Sequence, residues 1–181
     1  MKNNMPLMIA HLRKTFDSPV AGAEVGVYEG GTTNMLLNAF PGLYMYAVDP
    51  WENGEALNTT LIRKGEKFLQ EVHKKFMLDT AWARSRLSVF PVKSAEGCKR
   101  LEDGQLDFVL IDGDHRYEAA KDDLNCWWEK IRSGGVCIVH DYRPAPRFGV
   151  LRAVDEFCIE RKLEKVMLDP IIVAIHKPEA I

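Results

Sequence analysis

Short apolar runs alternate with longer amphipathic ones along this chain. Ala23–Tyr28, Leu43–Asp49, Leu87–Val92, Asp107–Asp112 and Gly135–Asp141 are brief, rich in Val, Ile, Tyr and Phe, and bounded by Gly, Pro or Asp. They predict strands. Several lack polar alternation, as strands covered on both faces of a parallel sheet do. Between them, apolar positions recur every three, four or seven residues. Thr32–Phe40 predicts one short helix, and Leu61, Phe68, Leu69, Val72 and Phe76 mark a second. Tyr117, Ala120, Leu124, Trp127, Trp128 and Ile131 mark a third, which is expected to stop at Ser133-Gly134-Gly135. Leu151, Val154, Phe157 and Cys158 mark a fourth, and Leu7–Phe16 predicts a leading helix. The end of the chain predicts two strands about a turn at Asp169-Pro170. Strands alternating with helices argue for an α/β fold. The expected form is a doubly wound, mostly parallel sheet with helices on both faces and a C-terminal antiparallel hairpin.

The length, 181 residues, suits one domain over residues 1–181, with 1–20 a leading helix and 57–86 a lid or insert. Hydrophobic residues are 46% and charged residues 28%, which excludes disorder, collagen and coiled coil as whole-chain readings. The longest apolar runs, such as Ile171–Ile175, fall far short of the ~20 residues of a membrane span. The start of the chain lacks the pattern of a secretory signal, so a cytoplasmic location is expected. A net charge of −2 points to neither nucleic acid nor membrane. Cys98, Cys126, Cys137 and Cys158 are widely spaced, and reduced thiols are expected.

In doubly wound sheets, ligands bind outside the carboxyl ends of the strands. Chemistry-bearing residues fall there. The first strand runs into Glu24-Val25-Gly26-Val27-Tyr28-Glu29-Gly30-Gly31-Thr32-Thr33. A strand, a glycine turn and a helix start form a ligand cradle. Tyr28 stands where a dinucleotide fingerprint needs its second glycine, and the turn carries acids but no Lys or Arg. Both points argue against a polyphosphate. Asp49 ends the second strand 23 residues beyond Gly26, a place suited to ribose hydroxyls. The ligand therefore reads as a nucleoside without a diphosphate, and Glu24 suits an ammonium or sulfonium charge.

Taken with Val48-Asp49-Pro50-Trp51, Asp107–Leu124, Trp127-Trp128, Gly134–Tyr142 and Gly149–Phe157, the turn resembles the class I S-adenosylmethionine-dependent methyltransferases. Within them it is most similar to the small-molecule O-methyltransferase branch of macrocin-type and catechol-type enzymes. The resemblance runs from about Ala23 to Lys177 and implies a Rossmann-like fold. It implies that Gly26 and Gly30 admit the methionine moiety, with Glu24 beneath it and Tyr28 and Thr32 completing the turn. It implies that Asp49 holds the ribose, Pro50 and Trp51 flank the ribose or adenine, and Ser94 and Ala95 contact the adenine.

Asp112, Asp114 and His115 follow the fourth strand, and His140 and Asp141 follow the fifth. If the strands are neighbours, the clusters converge. One reading is a divalent metal site; carboxylates suit Mg²⁺, and an imidazole shifts preference toward Mn²⁺, Fe²⁺ or Zn²⁺. The other is a metal-free acid/base pair. The resemblance implies metal ligands at Asp112, His140 and Asp141, and a base at His115 or, alternatively, Asp114. It departs from the catechol pattern in having His140 before Asp141. Asp112 counts in both halves of the site, cofactor and chemistry.

The expected reaction is methyl transfer to a hydroxyl of a small molecule such as a sugar or phenol. The rivals are a nucleotide-dependent oxidoreductase and a non-catalytic S-adenosylmethionine-binding module. Arg143 and Arg147, in the Pro-rich loop after Tyr142, are candidates to hold a phosphate or carboxylate. Trp82 is a candidate for either the acceptor pocket or the core. His11, His73 and His176 are expected on the surface. The leading helix offers a face for homodimer pairing.

Overall fold

The computed structural model describes residues 5–52, 65–145 and 148–180. Helix α1 (Met5–Thr15) leads into β1 (Ala21–Val25), α2 (Gly31–Ala39) and β2 (Tyr44–Val48). Then come α3 (Glu66–Asp79), a 3₁₀ turn (Ala81–Arg86), β3 (Leu87–Phe90), the short α4 (Ser94–Cys98) and β4 (Leu106–Ile111). The chain continues through α5 (Tyr117–Lys130), β5 (Ile131–His140), α6 (Val150–Arg161), β6 (Lys165–Asp169) and β7 (Ile172–His176). No helix among the described residues is long and apolar enough to cross a membrane.

The seven strands form one sheet in the order β3-β2-β1-β4-β5-β7-β6. β1 to β5 pair in parallel, and the hairpin β6-β7 closes the β5 edge antiparallel, as the patterning predicts. Strand alternation sorts the core into two layers. Val25, Val109, Ile111, Cys137 and Val139 meet Leu124 and Trp127 of α5 and Val154 and Phe157 of α6. Phe108, Leu110, Val136 and Ile138 face the other way, onto Met8 and Leu12 of α1 and Leu36 and Leu37 of α2. Both faces of β4 are therefore covered, which explains its unbroken apolar run. The chain winds outward from β1 to β3, then returns to place β4 on the other side of β1. The switch point lies between β1 and β4, and ligands are expected above it.

The third helix does not end at Ser133-Gly134-Gly135. It ends at Lys130, and β5 starts at once at Ile131. The β4–β5 register passes from Leu106–Ile131 to Phe108–Val136, so the glycine pair forms a bulge in β5, with Gly134 at φ 72°. Leu61, and with it residues 57–64 of the expected lid, lie outside the described residues. The rest of that span is α3 and the 3₁₀ turn.

The cysteine expectation is corrected. Cys98 of α4 and Cys126 of α5 are joined in a disulfide, their Cα atoms 6.3 Å apart. Cys137 and Cys158 are free and buried, as expected. The histidines also depart from the surface reading. His11 and His176 are half-buried, with Nε2 atoms 3.0 Å apart, and His73 stacks on Trp51 with ring centroids 4.1 Å apart. Burial lowers the pKa of all three.

Candidate active site

Five strands, β1 to β5, deliver the site at their carboxyl ends. After β1, Gly26 takes φ 88° and Gly30 φ 74°, left-handed conformations that glycine adopts without steric cost. A methyl group at Gly26 would overlap the Asp112 carbonyl, and one at Gly30 would overlap the Phe76 ring of α3. The glycines thus let the turn lie directly against β4 and α3. Three non-glycine residues share the left-handed region at strand ends: Tyr28, Trp51 and Asp141. Such conformations persist only where surrounding bonds enforce them, and they cluster at functional sites.

Asp49 supplies those bonds. Its Oδ2 accepts the Val27 and Tyr28 backbone N–H groups, each at 2.9 Å, and Oδ1 accepts that of Trp51 at 2.8 Å. A carboxylate has about four acceptor sites. About one is left for a ribose hydroxyl. Trp51 donates its indole N–H to the Tyr28 carbonyl at 2.9 Å and packs inward between His73 and Phe76. It braces the turn from below, rather than standing open beside a ligand. Pro50 lies between them, half-buried.

Glu24 is almost wholly buried on β1 and accepts the Thr33 hydroxyl. Burial pushes its pKa up to about 8, and Asp112 and Asp49 act in the same direction. Three acids thus lie close together at the floor of the cradle, Glu24 with Asp112 and Asp49, a set that suits a cationic ligand. Gly31 has open space where a side chain would be. The cradle fits S-adenosylmethionine on these grounds.

Ser94 and Ala95 open α4, after β3. The Ser94 hydroxyl donates to Asp123 and accepts the Trp127 indole N–H at 2.8 Å. Its side chain therefore ties α4 to α5. Asp123 was not foreseen as a site residue. It is buried, its pKa is pushed up to about 7 by burial, and it lies beside Gly113. The signal was present in the sequence: Asp123 sits on the apolar stripe of Ala120, Leu124 and Trp127.

The second cluster assembles as the strand order predicts. His115 Nε2 lies 3.5 Å from Asp112 Oδ1 and 3.2 Å from Asp141 Oδ2. His140 Nδ1 lies 3.2 Å from Asp112 Oδ1 and 3.4 Å from Asp141 Oδ2. Two imidazoles thus converge on two carboxylates. None of these contacts has hydrogen-bond geometry; His115 Nε2 and both His140 nitrogens are buried without a hydrogen-bond partner. Burial opposes charge on His140, but the carboxylates outweigh it and raise its pKa to about 10. For Asp112 burial likewise works upward, and the two imidazoles more than offset it, so its pKa falls. The Asp141 pKa falls too, chiefly through His140.

Donor atoms of Asp112, His115 and Asp141 all lie within 4.8 Å of one another. Two carboxylates with an imidazole suit Mg²⁺ or Mn²⁺. The unpartnered buried nitrogens beside these two carboxylates also suit a metal ligand set, so the residues present accommodate a divalent metal. The expected set had His140 in place of His115; the structure brings both imidazoles to the same two carboxylates. Asp114, the alternative base, is engaged elsewhere. Its Oδ2 accepts Arg116 Nε at 2.8 Å and Nη2 at 2.6 Å, and its Oδ1 accepts the Arg116 backbone N–H at 3.0 Å.

A family model described as "Methyltransferase domain" matches residues 23–142. The chain belongs to this methyltransferase family. The match spans the glycine turn, Asp49, Asp112, His115 and Asp141, and the sheet is that of the class I S-adenosylmethionine-dependent enzymes. The O-methyltransferase NovP shares 18% identity, with 97% of this chain and 78% of that chain covered and a TM-score of 0.73. The MycE methyltransferase of the mycinamycin pathway, solved with Mg, S-adenosylhomocysteine and mycinamycin VI, shares 15% (96% and 49% covered, TM-score 0.62). The 1,6-didemethyltoxoflavin-N1-methyltransferase of Burkholderia thailandensis, with bound 1,6-didemethyltoxoflavin and S-adenosylhomocysteine, shares 12% (98% and 80% covered, TM-score 0.66). At these identities the likeness shows the fold. Protein R132 of Acanthamoeba polyphaga mimivirus is 24% identical over 142 residues; the match covers 75% of this chain and 58% of the relative's length.

Arg147 lies outside the described residues. Trp82 is half-exposed and donates to Asn34 of α2 at 3.0 Å, so it is not a core residue. Phe148, not singled out by the sequence, stands beside the cluster and stacks on His115 with ring centroids 4.7 Å apart.

Proposed function

We propose that this protein transfers a methyl group from S-adenosylmethionine to a hydroxyl oxygen of a small molecule, with a divalent cation at the site. The observation that carries this reading is the contact at the switch point. The glycine turn packs on the Asp112 backbone, and the same residue's carboxylate joins His115, His140 and Asp141. Cofactor cradle and acid/base cluster therefore share one residue.

Bound in the cradle, S-adenosylmethionine supplies an electrophilic methyl group, and the carbon–sulfur electron pair returns to sulfur as the acceptor oxygen takes the carbon. Glu24 would face its positive end, and Asp49 would take a ribose hydroxyl. Asp112, His140 and Asp141 would hold a divalent cation, which lowers the pKa of an acceptor hydroxyl. His115 Nε2 takes the hydroxyl proton, and the Asp141 carboxylate at 3.2 Å stabilises the imidazolium that results. Phe148, stacked on the ring, holds its plane. Proximity and alignment of the two reactants contribute the largest share of the acceleration. NovP and MycE, an O-methyltransferase and a Mg-containing one, support the acceptor atom and the metal by analogy.

Calorimetric titration with S-adenosylhomocysteine, with and without Mn²⁺, tests the reading. Micromolar binding, on the order of −8 kcal/mol, is expected, together with a separate Mn²⁺ signal lost in Asp112→Asn and weakened at least tenfold in His140→Ala. His115→Ala should keep Mn²⁺ affinity. Absence of S-adenosylhomocysteine binding refutes the cofactor assignment. Loss of Mn²⁺ in His115→Ala but not in His140→Ala makes His115 a ligand and not the base.

A further inference from the structure

A cavity of about 420 Å³ opens beside the cluster, lined by Arg143, Pro144, Ala145, Phe148, Leu151 and Arg152. It is shallow and largely open to solvent. It adjoins the chemistry at two points. Phe148 is the ring stacked on His115, at an interplanar angle of 18°. Arg143 Nε lies 3.0 Å from Asp141 Oδ1, opposite the oxygen that faces His115.

Among the described residues, the lining contains two guanidinium groups and no carboxylate. Each guanidinium is held from behind. Arg143 is fixed by Asp141 at its Nε and lies over the Phe148 ring, its central carbon 5.6 Å from the centroid. Arg152 donates from Nε to Glu156 Oε1 at 2.8 Å and lies over the Tyr117 ring, 4.2 Å from its centroid. The Tyr117 hydroxyl donates to the other Glu156 oxygen, so the bracket around Arg152 is closed. Among the described residues, neither arginine donates a hydrogen bond from Nη1 or Nη2. Guanidinium groups anchored through Nε keep their terminal forks for a ligand, and an oriented fork loses little freedom on taking two oxygens. Phe148, Leu151, Pro144 and Ala145 supply apolar walls between the charges.

The geometry points to an acceptor with a flat apolar body and an oxyanion, carboxylate or phosphate, gripped by Arg143 and Arg152 while its hydroxyl is directed toward the His115 side of the cluster. This rests on the methyltransferase reading above and narrows its substrate class. Neutral acceptors of the same shape leave both forks unpaired and bind more weakly.

The protein loaded with S-adenosylhomocysteine is titrated with 4-hydroxybenzoate, 4-hydroxyphenyl phosphate and, as the uncharged control, 4-hydroxybenzamide. At least one anion should bind tenfold or more tightly than the amide, and the stronger of the two identifies the oxyanion. Arg152→Gln, at a solvent-facing helix position, should cut that preference below threefold without changing S-adenosylhomocysteine affinity; Arg143→Gln should cut it as well. Equal binding of all three probes, or a preference that survives both substitutions, overturns the clamp and leaves the methyltransferase reading standing. Failure of S-adenosylhomocysteine to bind removes that reading, and the clamp as an acceptor site with it.

Discussion

Replacing Glu24 by glutamine tests whether the cradle holds a neutral acid in the free protein. The side chain is 2% exposed, and burial raises its pKa from 4.5 to about 8. A carboxyl group that titrates at 4.5 unfolded and about 8 folded contributes stability that is fully present below pH 4.5. That contribution is lost as pH rises through about 8. Its full loss is worth on the order of 5 kcal/mol. Glutamine cannot ionise, and its carbonyl can still accept the Thr33 hydroxyl. At pH 5 the two proteins should therefore unfold within about 1 kcal/mol of each other. By pH 9 the variant should be the more stable by several kcal/mol. Asp123, whose pKa is also raised by burial, adds the same trend to both proteins and cancels in the difference. Urea unfolding of both proteins at intervals from pH 5 to 9 measures this directly. Parallel stability curves, within about 1 kcal/mol throughout, would refute the claim that Glu24 is held neutral by its surroundings.

Two further predictions concern the scaffold. The Cys98–Cys126 bridge spans a sequence separation of 28 residues, so the chain-entropy model assigns it about 3–4 kcal/mol; reduction with a phosphine, or Cys126→Ser, should lower the melting temperature by roughly 10 °C, and no change would show that the bridge does not constrain the unfolded chain. Gly26→Ala places a methyl group against the Asp112 carbonyl at φ 88°, whereas Gly31→Ala meets nothing within 4 Å; the first should destabilise the protein by more than about 2 kcal/mol and abolish S-adenosylhomocysteine binding, and the second should do neither, as thermal melts and calorimetry will show.

The fold was readable in the sequence because its strands are short, apolar on both faces and separated by helices with clear periodicity. What was misread at Ser133-Gly134-Gly135 shows the limit of such patterns. A glycine pair can end a helix or bulge a strand, and the choice is made by pairing with β4, a partner distant in sequence. The same holds for Cys98 and Cys126, which lie on separate helices and meet only because α4 and α5 pack together. The candidate site follows a similar logic. Strand-end acids and histidines were legible as a group, because parallel neighbours must present their carboxyl ends at one place. Their individual engagements were not legible. Asp114, Ser94 and Trp51 were expected at a ligand, and each is bound to the protein itself, by Arg116, by Asp123 and Trp127, and by Tyr28. A polar side chain at a strand end can serve a ligand or hold the loop that admits it, and sequence spacing does not separate the two uses. Asp49 shows why: three of its acceptor positions hold backbone N–H groups of residues in left-handed or adjoining conformations. In the function proposed above, only the position that remains would reach a ribose, and the geometry of the turn and the affinity for the cofactor would then depend on one carboxylate.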